Sequence, residues 1–128
     1  MQRTFFIAGV QFRPQDEINK ATKEMKVGDK LMLIPEPTNR FDSNAVKIGV
    51  FGPDVAESVF LGYVPKKFSS EVAAMLSIGV PIECIVEAVD PAAKPWEKCK
   101  VTIRDEDIGI AADDRPDESD DRPEEGGY

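Results

Sequence analysis

The tightest constraint on what this chain can fold into comes from two short segments in which apolar and polar residues alternate with period two. Ile82 to Val89 sets Ile82, Cys84, Val86 and Ala88 on one side and Glu83 and Glu87 on the other. Lys98 to Arg104 sets Cys99, Val101 and Ile103 inward, with Lys98, Lys100, Thr102 and Arg104 outward. That period belongs to half-buried strands. The link between them, Asp90 to Trp96, holds two prolines and reads as a loop tip. Such strands need a shared apolar layer, and 128 residues leave room for one domain around it.

Upstream segments add to the same sheet. Thr4 to Phe12 places Phe6, Ala8, Val10 and Phe12 against Phe5, Ile7, Gly9 and Gln11, which predicts a central strand covered on both sides. Arg13 to Lys26 is polar, with Ile18, Ala21 or Thr22, and Met25 at helix-compatible spacing, so a short helix near residues 15–26 and an ordered loop are both open. Lys30 to Ile34 reads as a strand ended by Pro35 and Pro37. Ala45 to Phe51 and Val59 to Val64 form an antiparallel hairpin across the Gly52-Pro53-Asp54 turn. Pro65 suits the first position of a helix from Lys66 to Ser77, with Phe68, Val72 and Met75 or Leu76 on one stripe and Gly79 as its C-terminal cap. Five or six strands with a helix inserted before the last pair predict a mainly β, antiparallel barrel, whose closure removes exposed edges.

Charge is unevenly placed along the chain. Of 24 acidic and 16 basic residues, giving a net charge of −8, Asp105 to Tyr128 holds 11 acidic and 2 basic, which leaves a body of net +1. The acidity of the whole therefore says nothing against a nucleic-acid-binding surface on the body. The tail cannot bury enough apolar area to offset the entropy of ordering, so the expected division is a barrel domain over residues 1–111 and a disordered acidic tail over 112–128.

Absences exclude whole classes of chemistry. With no histidine in the chain, the commonest general base and the commonest zinc ligand are both gone, and every histidine-dependent triad with them. Cys84 and Cys99 are half of a four-thiolate site and too few for a disulfide-built fold, and they read as reduced, buried hydrophobes on neighbouring strands. No metal or cofactor is expected, and no catalytic residues. Met1 to Gly9 is superficially like an export signal, but its apolar run stops within a few residues. No stretch approaches the ~18 apolar residues a membrane span requires, so a soluble, cytoplasmic protein is expected.

Three features carry candidate chemistry. Glu36 to Lys47 crowds an aromatic, amides, carboxylates and cations into a proline-bounded loop, where Asn39, Asp42 and Asn44 either build turns on their own backbone or face a ligand. Lys66 and Lys67 occupy the first turn of the helix, an awkward place for a cation unless a phosphate meets the free N–H groups there; two solvated surface lysines are the plainer reading. Phe12 and Phe41 are aromatics near cations, which unstacked bases use; as plain core residues they would be inward-facing, Phe12 above all because it shares the face of Phe6 and Val10.

Phe6-Ile7-Ala8-Gly9-Val10-Gln11-Phe12, the Glu36 to Lys47 block and Leu61-Gly62-Tyr63-Val64-Pro65-Lys66, in this order and spacing, resemble the HIRAN domain family. Its members occur alone in bacterial and phage-related proteins and fused to replication-fork remodelling helicases. The resemblance spans about Thr4 to Arg104 and implies an OB-like or SH3-like barrel that binds the 3′ end of single-stranded DNA. It implies that Phe12 and Phe41 stack on the terminal base, Asp42 accepts a hydrogen bond from the 3′-hydroxyl, Asn39 contacts a base edge and Lys66 a phosphate, with Arg13, Tyr63 and Lys67 in the same surface. A carboxylate among phosphates makes sense where it accepts from a hydroxyl that internal nucleotides lack. The sequence departs from DNA-binding members at Gln11, where they carry a phosphate-binding arginine, at Arg13, where they carry a second aromatic, and at Tyr63, where they carry a histidine.

The expected function is thus a non-catalytic module for single-stranded DNA with a 3′-hydroxyl end, serving repair, replication or processing. The alternative is a protein-interaction module that has lost DNA binding and holds a partner in a DNA-processing complex. A metal-dependent nuclease built on Glu36 and Asp42 lacks a further ligand in the sequence.

Overall fold

The apolar spacing is met by strands and helices along most of the chain, with the stretch after Phe6 as the exception. The structure is a computed structural model that describes residues 1–51 and 58–105. In chain order the elements are β1 (Gln2–Phe6), α1 (Gln15–Glu24), β2 (Lys30–Pro35), β3 (Val46–Val50), β4 (Val59–Tyr63), α2 (Lys66–Ser77), β5 (Ile82–Val89) and β6 (Cys99–Asp105). The six strands form one antiparallel sheet in the order β1-β6-β5-β2-β3-β4.

This sheet curls until its two ends meet. Past β1 the Ile7 amide donates to the Cys99 carbonyl at 3.1 Å, and Ala8 and Tyr63 then exchange two backbone hydrogen bonds of 2.9 and 2.8 Å. One bridge therefore links the far edges, β1 and β4, into a curled half-barrel. Gly62 permits that approach. A Cβ there would lie 2.3 Å from the Ala8 carbonyl oxygen and 2.8 Å from Ile7 Cγ2. The interior is filled by Ile7, Ile48, Leu61, Val86, Val101 and Ile103, with Ile18 of α1 and Val72 of α2 closing over it, all nearly inaccessible to water.

The helices obey local rules. Asp16 and Glu17 sit in the first turn of α1 and Lys23 in its last, opposing the helix dipole, while Ile18, Ala21 and Thr22 face inward. The α2 boundaries match the expectation, with Pro65 one position earlier than expected, as N-cap. Its C-terminus is a Schellman motif: Gly79, at φ 80°, donates to Leu76 and Val80 donates to Met75. Phe68 of α2 stacks on Phe5 of β1, centroids 5.6 Å apart, and Glu71 takes both Nε and Nη2 of Arg3 at 3.0 Å, so α2 is seated against the first strand.

Four expectations are corrected. The first strand ends at Phe6, lies at an end of the sheet order, and gives way to a 3-10 turn over Val10–Phe12, because Gly9 at φ 77° takes the chain out of extended conformation and resets the side-chain phase. Ala88 is exposed, since Glu87 bulges from β5 between the pairs Val86–Val101 and Ala88–Lys100. Thr102 is buried, its hydroxyl 2.8 Å from that of its partner Thr4 on β1. Lys98 is also buried, its ammonium donating to the Pro91 carbonyl within the β5–β6 link. The Gly52-Pro53-Asp54 turn, the residue 111/112 boundary and the disordered tail lie outside the described residues.

Cys84 and Cys99 are free and buried, as expected of structural thiols. Burial pushes both thiols up to about 12.

Candidate nucleic-acid interface

Three separate stretches of chain converge on Tyr63, the last residue of β4. The first is the turn after β1, held through the Ala8 bridge. The second is the loop between β2 and β3: the Tyr63 hydroxyl donates to Glu36 Oε1 at 2.7 Å, and the Asn39 amide donates to the same oxygen at 2.8 Å. The third is α2, which begins three residues later. Residues as distant in sequence as Ala8 and Tyr63 are thereby brought to one end of the sheet.

Within the loop, Asn39 is the organiser. Its Oδ1 accepts from the amides of Phe41 and Asp42 at 2.9 and 3.0 Å, a turn built on its own backbone. Asp42 repeats the device with the Asn44 amide at 2.9 Å. Both polar ends of Asn39 are thus engaged in holding the loop, so this structure gives it a positioning part beside the base-edge contact that the resemblance implies.

The loop throws its aromatic outward. Phe41 is 87% exposed and Phe12, on the 3-10 turn, is 82% exposed, against 43% for Phe6. The inward orientation that strand phase gives Phe12 is corrected by Gly9: past it, Val10 is buried and Phe12 is not. Neither phenyl ring fills the core.

Asp42 links the loop to α2. The Ser69 hydroxyl donates to Asp42 Oδ2 at 2.7 Å, and Lys66 stands near enough to act on the carboxylate through its charge. No acid occupies the first turn of α2, which instead carries the exposed Lys66 and Lys67. The missing negative charge comes from the loop, where it offsets both the lysines and the positive helix terminus. Each carboxylate oxygen accepts one hydrogen bond and retains a further lone pair for a ligand hydroxyl.

The Ser69 hydroxyl foremost, then the Asn44 amide and Lys66, hold the Asp42 carboxyl below its ordinary 3.8. A depressed folded-state value means that the stabilisation is present above the ordinary value and is lost as pH falls through the lowered one. Ser69→Ala should therefore raise the Asp42 midpoint towards 3.8, read by NMR titration of its carboxyl carbon; an unmoved midpoint would refute the part given to Ser69. Glu36 is also lowered, by Asn39 first, then Tyr63 and Lys47, whose ammonium is 3.7 Å away. Burial, with Glu36 beside it, raises the Tyr63 phenol.

Arg13 follows the turn that carries Phe12. Its Nε donates to the Phe60 carbonyl at 3.2 Å and its guanidinium lies over the Phe60 ring. All eight expected site residues, Phe12, Arg13, Asn39, Phe41, Asp42, Tyr63, Lys66 and Lys67, thus fall on the turn after β1, the β2–β3 loop, β4 and the start of α2. Ser69 and Phe60 were not foreseen. A polar residue one position from the apolar stripe of α2 was a signal for Ser69; nothing local marked Phe60.

The chain is a small domain built on a curled β-sheet, with exposed rings and cations gathered at one end. The chain belongs to the HIRAN family: the family model "HIRAN domain" matches residues 3–104, and such domains are in general DNA-binding modules. Its fold is similar to a crystal structure of a protein from Lactobacillus plantarum, at a TM-score of 0.64 and 18% identity over 80% of this chain and 95% of that one. It is also similar to the HIRAN domain of human HLTF, at a TM-score of 0.52 and 14% identity over 80% and 70%. No curated protein sequence matches the chain. Among the described residues, no helix is long and apolar enough to cross a membrane.

Proposed function

We propose that this chain is a non-catalytic module that binds single-stranded DNA at a 3′-hydroxyl end and so serves DNA repair, replication or processing. The observation that carries the reading is the pair of phenyl rings, 82% and 87% exposed, on two segments tied to one residue, Tyr63. An exposed phenylalanine contributes little to a core. A ring standing in water next to cations suits the face of an unstacked base, a contact worth roughly 1 to 3 kcal/mol.

Asp42 supplies end selectivity. Its carboxylate is ionised at neutral pH, repels the phosphates of internal nucleotides, and accepts from the one hydroxyl found only at a terminus. Lys66 and Lys67 meet the adjacent phosphate. Fluorescence anisotropy with oligonucleotides ending in 3′-hydroxyl or 3′-phosphate tests this directly. The hydroxyl end should bind about tenfold tighter, the difference of one charge-assisted hydrogen bond lost and one repulsion gained. Equal affinities would remove Asp42 from its role, and absence of binding at low salt would leave the protein-interaction alternative.

A further inference from the structure

On the outer face of β3 and β4, Phe60 and Lys47, which the terminal site does not use, stand beside Arg13 and Tyr63 of the candidate interface. The Arg13 guanidinium carbon is 4.1 Å from the centre of the Phe60 ring and the Lys47 ammonium is 5.0 Å from the same centre. Tyr63 meets that ring edge on, centroids 5.3 Å apart. A bulge makes the arrangement possible. Gly49 pairs with Phe60 and Ile48 with Gly62, which leaves Leu61 as an extra, buried residue and turns Phe60 and Tyr63 to the same face, three positions apart.

Phe60 acts here as a seat for cations. Arg13 is aimed by its Nε bond to the Phe60 carbonyl, and among the described residues its two terminal nitrogens have no hydrogen-bond partner. A stacked guanidinium keeps its N–H edge turned outward in the geometry that a phosphate accepts, and loses little further freedom on binding. Glu36, 3.7 Å from Lys47, is shared with the Tyr63 hydroxyl and the Asn39 amide, and the group as a whole stays positive by one charge.

We propose that Arg13 and Lys47, seated on Phe60, form a phosphodiester clamp for the nucleotides that precede the terminal one. The clamp rests on the 3′-end reading above, because Tyr63 joins both places: its backbone holds the Phe12 turn, its hydroxyl the Phe41 loop, and its ring the edge of Phe60. The strand would leave the terminal site and pass over the clamp. This also accounts for an arginine at position 13, whose phosphate contact is reached from the ring of a neighbouring strand.

The test uses the full chain and unlabelled oligothymidylates of two to eight residues with 3′-hydroxyl ends, competing against a labelled octamer. The protein should gain affinity with length. In the double variant Arg13→Gln and Lys47→Gln that gain should shrink about tenfold, with the salt slope on the octamer falling by about 1.4, as two lost phosphate contacts require. Affinity for the dinucleotide should fall clearly less than affinity for the octamer, because its single phosphate is held chiefly by Lys66 and Lys67 at the terminal site. Phe60→Leu keeps both charges and removes their seat; it should lose about threefold or more of the same gain. An unchanged gain and slope in the double variant, with normal binding by the parent chain, would overturn the clamp alone. Equal losses on dinucleotide and octamer would overturn it too, by placing both cations at the terminus. Failure of the parent chain to bind at any length would overturn both readings.

Discussion

Replacing Phe41 by alanine should weaken binding of single-stranded DNA about 5- to 150-fold, the loss of one base-stacking contact worth roughly 1 to 3 kcal/mol. Removing Phe12 as well should take away a second contribution of similar size, on the order of 2 to 6 kcal/mol in all for two independent rings. Stability should hardly change, within about 0.5 kcal/mol, because both rings stand in water and pack against little. This separation of binding from folding makes the substitutions informative. Lys66→Ala offers the contrast. Its effect should be largest at low salt and fade as salt rises, whereas stacking is scarcely screened. At raised salt the order should be Phe41→Ala worse than Lys66→Ala, measured by anisotropy; the reverse order would contradict the stacking assignment.

The second large effect concerns the closure of the sheet. Gly62→Ala would place a methyl group 2.3 Å from the Ala8 carbonyl oxygen, which is itself the acceptor for the Tyr63 amide. Neither backbone can move away without breaking the bridge that joins β1 to β4. We expect a loss of about 3 kcal/mol, the upper end for an overpacked interior, and a fall in Tm on the order of 10–20 °C for a domain of this size. The turn that carries Phe12 hangs from the same bridge, so DNA binding should weaken with it. Gly79→Ala is the control. Its φ of 80° is strained for alanine but nothing lies within 4 Å, so about 1 to 2 kcal/mol should be lost with binding intact. If Gly62→Ala proves no worse than Gly79→Ala in thermal denaturation, close approach at the bridge is not what requires glycine there.

Some of this molecule was legible because the physics is local. The helix α2 and its glycine cap follow from Phe68, Val72 and Leu76 at helical spacing, and β5 and β6 from their alternation. Cys84 and Cys99 were legible as inert core thiols. The candidate loop announced itself by composition, and the resemblance carried by three short blocks agreed with the family found over residues 3–104. Reading failed where one backbone angle or one inserted residue reset a phase. Gly9 turned Phe12 from an inward strand residue into an exposed one, the bulge at Glu87 brought Ala88 to the surface, and the bulge at Leu61 set Phe60 beside Tyr63. Neither bulge has a marker in its own sequence, because each depends on the register of a neighbouring strand.

By itself, the sequence determined the strands from β2 to β6 and the helix α2, the β-rich class, the lack of histidine chemistry and the identity of the polar loop. The tertiary structure alone decided that the sheet curls until Ala8 meets Tyr63, that Asp42 finds its hydroxyl partner on α2, and that Phe12 and Phe41 stand in water while Phe5 and Ile7 do not. The reason is one of range. Periodicity and capping act over a few residues and can be read along a chain, whereas a bridge between residues 8 and 63 or a hydrogen bond between 42 and 69 exists only once the intervening chain has packed.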